Sequence, residues 1–177
     1  MERARNVSPL VITVPRRTLL VLCGPAASGK STFASQHFAA SMIVSSDYCR
    51  ELICDDSNNQ HVNRDAFDLF YYIINKRMYL SRFTIADSTA LQASARARLL
   101  ELARRHGYLA CLLIFNTSIA TCLERNRQRG RTVEEQVIAY HAGLLQQIIH
   151  DAPTEGWQQI HILDERNSPA KVEVITE

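Results

Sequence analysis

Residues 18–33, "TLLVLCGPAASGKSTF", run from an unbroken apolar segment through a glycine-bounded loop into a helical pattern. Within them "GPAASGKS", Gly24 to Ser31, matches G-x-x-x-x-G-K-[ST] between a strand and a helix, the context this phosphate-binding motif requires. The glycines let the backbone curl so that successive N–H groups and a helix N-terminus face the β-phosphate of a nucleotide. Gly24, Pro25, Ala26, Ala27, Ser28, Gly29, Lys30, Ser31 and Thr32 are therefore expected to cradle a nucleoside triphosphate such as ATP. Lys30 is expected to reach the β- and γ-phosphates, and the Ser31 hydroxyl to hold Mg2+.

Working outward, apolar runs bounded by turn signals recur at 42–46, 83–87, 108–116 and 157–164, and they read as strands. Helical patterns lie between them at 30–40, 62–80, 93–105 and 118–128, the second carrying Phe67, Phe70, Ile74 and Met78 on one face. This alternation predicts a parallel sheet covered on both faces, an α/β fold of P-loop NTPase type. A further helix opens at "TVEE", where Thr132 and Glu135 have capping-box spacing, and continues through Val137, Ile138, His141, Leu144, Leu145, Ile148 and Ile149. "LVITVP", residues 10–15, is expected to be a short edge strand ended by Pro15. The stretch 165–177 is expected to be a linker or frayed end. The expectation is a single domain over 1–177, with a helix-loop-helix lid at about 121–136.

Composition narrows the class. The 177 residues suit one domain, and 20 basic against 18 acidic residues leave a formal charge of only +2, so any nucleic-acid contact must be local. Five cysteines, with no CxxC pair, fit a reducing compartment rather than a disulfide framework or a zinc site. No apolar run approaches the roughly 18 residues of a membrane span, and the first ten residues lack the apolar core of a secretion signal. A cytoplasmic location is expected. The six histidines show no ligand-like spacing and read as surface or packing residues.

Three groups of residues carry candidate chemistry. In "VSSDYCR", residues 44–50, Asp47 follows a strand whose carboxyl end should face the ligand cleft. It is a candidate base that accepts the proton of an acceptor hydroxyl, or else an N-cap. Arg50, one turn on, is a candidate clamp on an acceptor phosphate, or else a surface charge. In "TIAD", Asp87 ends a strand with no glutamate beside it to activate water, which favours transfer to an acceptor; Asp87 supports the magnesium shell, positions an arginine or caps the next helix. In "ERNRQRGR", residues 124–131, Arg125 and Arg129 share a helix face whereas Arg127 does not. The pair can stabilise charge developing on a transferring phosphoryl group, or can be a solvated helix end. Gly130 is expected to stop this helix.

Taken with "LVITVP", "GPAASGKSTF", "SSDYCRELICDD", "NNQ", "DAF", "ADST", "ERNRQR" and "IHILD", the chain resembles the kinase domain of bacterial polynucleotide kinase-phosphatases, which are RNA-repair enzymes. It resembles phage polynucleotide kinase more distantly. The resemblance implies ATP-dependent transfer of a γ-phosphate to the 5′-hydroxyl end of RNA or DNA. It makes Lys30 and Ser31 the triphosphate and magnesium residues, Asp47 the base, Arg50 the acceptor clamp, and Arg125 and Arg129 the lid arginines. It also implies linked phosphatase or ligase modules in a longer parent chain, neither of which has a counterpart in these residues. Where the family strand continues Asp-Ala-Thr-Asn, this chain has Asp87-Ser88-Thr89-Ala90. Two other functions use the same parts: a small-molecule P-loop kinase, and a nucleotide-dependent binding module without transfer.

Overall fold

Thr18–Cys23 is buried at all six positions, as only a strand covered on both faces can be. It is β2 of the computed structural model, which describes residues 10–129, 133–164 and 171–175. The elements in chain order are β1 (Val11–Pro15), β2, α1 (Lys30–His37), β3 (Ile43–Ser45), α2 (Ser46–Cys54), α3 (Asn63–Tyr79), β4 (Thr84–Asp87), α4 (Ala93–His106), β5 (Leu109–Phe115), α5 (Ile119–Arg127), α6 (Glu135–Asp151), β6 (Gln159–Leu163) and β7 (Lys171–Ile175). Five strands form a wholly parallel sheet in the order β3-β4-β2-β5-β6. This is the α/β fold of P-loop NTPase type that the alternating pattern predicts.

The period of two along β2 divides the core. Leu19, Val21 and Cys23 face one side, where Phe70, Ile74 and Met78 of α3, Leu99 of α4 and Leu145 and Ile148 of α6 cover them. Leu20 and Leu22 face the other side, packed with Phe33 of α1, Leu113 and Phe115 of β5, and Ile12 and Val14 of β1. Burying each such aliphatic side chain contributes about 1.5 to 3 kcal/mol.

Strand order fixes where a ligand can sit. From β2 the chain crosses to β3 and β4 on one side, then returns past β2 to β5 and β6 on the other. The reversal opens a crevice at the carboxyl end of β2, where the phosphate-binding loop begins.

Three local expectations change. β1 is not on the edge of the main sheet; it forms a separate two-stranded parallel sheet with β7, Ile12 opposite Val172 and Val14 opposite Val174. Part of the expected linker, Lys171–Ile175, is therefore a strand, because β1 offers it a ladder and Val172 packs beside Ile12. Helix α2 joins β3 directly and was not among the expected helices. Gly130 and Thr132, expected to stop one helix and cap the next, lie outside the described residues, as do 165–170.

Candidate active site

The loop after β2 is shaped by two glycines. Gly24 has φ of 155°, and a Cβ there would lie 3.0 Å from the Phe115 carbonyl oxygen and 3.0 Å from Ser28 Oγ. Gly29 has φ of 101°, a left-handed conformation that L side chains avoid, and its hydrogen faces an Arg125 Nη1 that would be 3.4 Å from a Cβ. Lys30 then begins α1 and folds back across the loop, donating from Nζ to the carbonyls of Gly24 at 2.8 Å and Pro25 at 2.6 Å, with Ser28 Oγ at 3.4 Å. Burial pushes the Lys30 ammonium pKa down, and Asp87 opposes that shift.

Asp87 sits at the end of β4, buried, and opposite Leu22 in the ladder with β2. Burial raises its carboxyl pKa; a hydrogen bond with the Ser31 side chain and the charge of Lys30 lower it, and Asp47 raises it. The carboxylate, the Ser31 hydroxyl and the Lys30 ammonium thus form one cluster at the mouth of the loop. Both oxygen groups are hard donors suited to Mg2+. The next residues tie back to the loop, with Gly24 N–H donating to the Thr89 carbonyl at 3.0 Å. Ala90 is left-handed at φ of 48°, a conformation that L side chains other than Asn and Asp rarely adopt.

On the neighbouring strand end, α2 starts at Ser46 and its N-cap is Ser45, whose side chain accepts from the Tyr48 N–H at 3.3 Å. Asp47 is therefore not the cap, which corrects the structural alternative. It is half exposed and paired with Arg50, three residues on. Arg50 is buried rather than a surface charge: Nη1 donates to Asp47, Nη2 donates to Asn63 Oδ1 at 2.6 Å, and the guanidinium lies 5.9 Å from the Phe67 ring centre. Asn63, the first residue of α3, is a partner that sequence reasoning missed.

The arginines of α5 separate as their spacing implies. Arg125 donates from Nη1 to the Ser28 carbonyl at 3.4 Å, and Thr117 Oγ1 reaches the same oxygen at 2.9 Å. Arg129, held by an N–H bond to the Asn126 carbonyl at 3.3 Å, joins Arg125 in lining a cleft beside the loop. Arg127 turns away to Glu135, with Nε at 3.0 Å and Nη2 at 2.9 Å. Buried Asn126, also missed, brackets the loop between α5 and α6: its Nδ2 donates to the Val133 carbonyl at 2.8 Å and its Oδ1 accepts from the Val133 N–H at 2.9 Å.

That cleft has a volume of about 670 Å³ and runs from Ser28 and Gly29 past Phe33, Phe115 and Arg125 to Asp164, large enough for a nucleoside. A second cavity of about 580 Å³ is lined by Ala93, Ala97, Ala103, Ala110 and Glu155 and shares no lining residue with that cleft. Among the described residues no group of three or more His, Cys, Asp or Glu side chains could hold a metal, and no helix is long and apolar enough to cross a membrane.

Comparison with solved structures finds the same architecture. A chain of the Pnkp1/Rnl/Hen1 RNA repair complex matches with a TM-score of 0.65 at 18% identity, over 84% of this chain and 48% of that one, so this chain spans about half its length. A chain of the PezAT chromosomal toxin-antitoxin system of Streptococcus pneumoniae matches at 0.62 and 14% identity, covering 89% and 71% respectively. A gluconokinase from Sinorhizobium meliloti matches at 0.53 and 16%, covering 85% and 84%. At these identities the likeness is one of fold. No match was found among curated proteins. A family model described as AAA domain matches residues 19–160, from the first core strand to the start of β6. With that match over most of its length, and with a P-loop kinase-like fold, the chain belongs to this AAA-domain family.

Proposed function

We propose that the protein is an ATP-dependent polynucleotide kinase that transfers the γ-phosphate to the 5′-hydroxyl end of RNA or DNA. The observation that carries this reading is the placement of Asp47: not used as a helix cap, and held by Arg50 at a strand end beside the Asp87, Ser31 and Lys30 cluster. A module that only binds nucleotide has no use for an oriented carboxylate there.

The chain's residues divide the chemistry between them. The loop N–H groups and Lys30 hold the β- and γ-phosphates, and the base and sugar extend into the cleft between Phe33, Phe115 and Arg125. Asp47 accepts the proton of the 5′-hydroxyl as its oxygen attacks the γ-phosphorus; the bond to the β,γ-bridging oxygen breaks and the diphosphate leaves. Arg125 and Arg129 offset charge on the phosphoryl oxygens during transfer. Ser31, with Asp87 behind it, would hold Mg2+, which when bound neutralises charge on the β- and γ-phosphate oxygens. Arg50 orients Asp47, and its guanidinium would also clamp an acceptor phosphate. The resemblance of the "SSDYCR" element supports a polynucleotide acceptor, and linked repair modules in a parent chain follow from the same reading.

One observation favours a second reading. Arg50 is only 6% exposed, which suits a kinase whose acceptor is a small alcohol without a phosphate of its own. Both readings are tested by kcat/KM, at saturating ATP, for a nucleoside, its 3′-monophosphate, a 5′-hydroxyl oligonucleotide and gluconate. The expected result is a gain of about one to two powers of ten from the 3′-phosphate, erased in Arg50→Ala. Preference for a sugar acid would overturn the polynucleotide reading.

A further inference from the structure

Two large apolar side chains of α2 stand in solvent beside the proposed base: Tyr48 is 57% exposed and Leu52 is 56% exposed. A single exposed apolar residue needs no explanation, but here a ring and an aliphatic chain lie four residues apart on one helix face. The helix buries its other side, Ser46, Cys49 and Arg50, against the domain. Core packing therefore gives no reason for Tyr48 and Leu52 to be apolar. The other tyrosines mostly have partners, Arg98 on Tyr71, Lys76 by Tyr72, Arg17 by Tyr108 and His141 by Tyr140. Among the described residues no ring or cation packs on Tyr48. Tyr79 is equally bare, but it ends α3 just before β4 begins, at the end of the sheet away from the phosphate loop.

Backbone geometry ties this ring to the acceptor. Tyr48 follows Asp47 directly, and its N–H donates to Ser45 Oγ at 3.3 Å, which fixes the first turn of α2. Side chains on a helix lean toward its N-terminus. For α2 that end is the end of β3, where Ser45 stands opposite Asp87 in the ladder with β4. The ring thus leans toward the strand ends that carry the Asp87, Ser31 and Lys30 cluster. A hydroxyl seated on Asp47 brings its own nucleoside with it, and neighbouring Cα atoms are only about 3.8 Å apart, so the base of that nucleoside falls within reach of the Tyr48 ring.

Charge decides which part of the acceptor lies here. Glu51 is exposed on the same side of α2, and Asp55 and Asp56, also exposed, follow the helix. These carboxylates repel a phosphodiester, and Arg50, the one cation of the helix, is on its buried side. The phosphate therefore goes to Arg50 and the uncharged base to the apolar pair. Stacking on an aromatic ring suits any base, because each has a π-face.

We propose that Tyr48, with Leu52 beside it, is the platform on which the terminal nucleobase of the acceptor stacks, and so the residue by which the enzyme prefers a nucleoside end to a sugar or other small alcohol. This rests on the polynucleotide kinase reading. The test uses two acceptors, a 5′-hydroxyl oligonucleotide and the same strand with its first nucleotide abasic, each with wild type, Tyr48→Phe and Tyr48→Ala. Wild type should favour the intact strand by about 5-fold to 100-fold in kcat/KM, mostly through KM, the range that one base stacked on an aromatic ring supplies. Tyr48→Phe should keep that preference and Tyr48→Ala should lose it, with ATP binding unchanged in both. In wild type, the NMR resonances of the Tyr48 ring should also shift on adding a nucleoside 3′-monophosphate, a readout that needs no variant to fold. A preference that Tyr48→Ala retains, equal slowing on both strands, or ring resonances unmoved by the nucleotide would each overturn the stacking role alone, since wild-type transfer to the intact strand leaves the kinase reading standing. A wild-type dimer that Tyr48→Ala breaks, with base preference unchanged, would assign the patch to a second copy of the chain and overturn the proposal. No transfer to either strand by folded wild type that binds ATP would overturn the kinase reading, and the stacking role with it.

Discussion

Asp47 shows how a short motif can be read correctly in place and incompletely in contact. Asp47 does follow the carboxyl end of a core strand, but the same sequence left base and cap as alternatives, because both need an acidic residue just past a strand. Ser45 takes the capping bond, and Asp47 pairs with a buried Arg50 instead. Asn63, which holds Arg50, was not legible, since it arrives from a separate helix and no local spacing links it to the loop. Asp47→Asn keeps the shape and an oxygen for Arg50 while removing the base, so ATP binding should be unchanged and transfer should fall by about 10²-fold to 10⁴-fold; near-normal transfer by the folded variant contradicts the assignment. Arg125→Ala and Arg129→Ala should lower kcat by a larger factor than oligonucleotide affinity. Arg127→Ala, which removes only an exposed pair with Glu135, should change neither. Equal effects at all three positions would indicate general charge rather than two aimed side chains.

At the scale of elements, the helix-loop-helix of α5 and α6 was visible as two amphipathic patterns around a glycine, whereas what joins them was not. Asn126 stands among the arginines of "ERNRQR", yet its side chain turns inward and takes both hydrogen bonds of Val133. Asn126→Ala removes both hydrogen bonds to the half-buried Val133 backbone and empties a buried side-chain site, so it should destabilise the protein by about 1 to 2 kcal/mol. It should also raise hydrogen exchange at Val133 and in the first turn of α6 before elsewhere; exchange unchanged there would show that the bracket holds nothing in place. α2 escaped the periodicity because it is short and begins directly at a strand end, so it never shows two turns of apolar repeat outside the motif.

For the whole molecule, the alternation of strand and helix patterns made the parallel sheet legible, and the unbroken burial of β2 made its central place so. The pairing of β7 with β1 was not, because the partner strands are far apart in sequence and β7 has no buried residue to mark it as a strand. A second long-range contact, Arg96 of α4 with Glu155, ties the loop after β4 to the segment before β6: Arg96 donates to the carbonyls of Ala90 at 3.0 Å and Leu91 at 2.8 Å and to Glu155 Oε1 at 2.5 Å. Burial alone would raise the Glu155 carboxyl pKa, but hydrogen bonds from Arg96 and Trp157 and the charge of Arg96 outweigh it and hold it below its ordinary 4.5. A depressed carboxyl contributes stability that is fully present above the unfolded pKa and is lost as pH falls through the folded one. The Tm difference between wild type and Glu155→Gln should thus be largest near neutral pH and shrink below about pH 4.5; a difference independent of pH would remove the ionised pair from the stability of the fold. The central claim, that this P-loop fold phosphorylates polynucleotide ends, is tested most directly by incubating the purified chain with γ-labelled ATP, Mg2+ and either a 5′-hydroxyl oligonucleotide or the same oligonucleotide already bearing a 5′-phosphate. The account predicts label on the 5′-hydroxyl strand alone, abolished in Lys30→Ala; no label on either strand from a folded protein that binds ATP would contradict it.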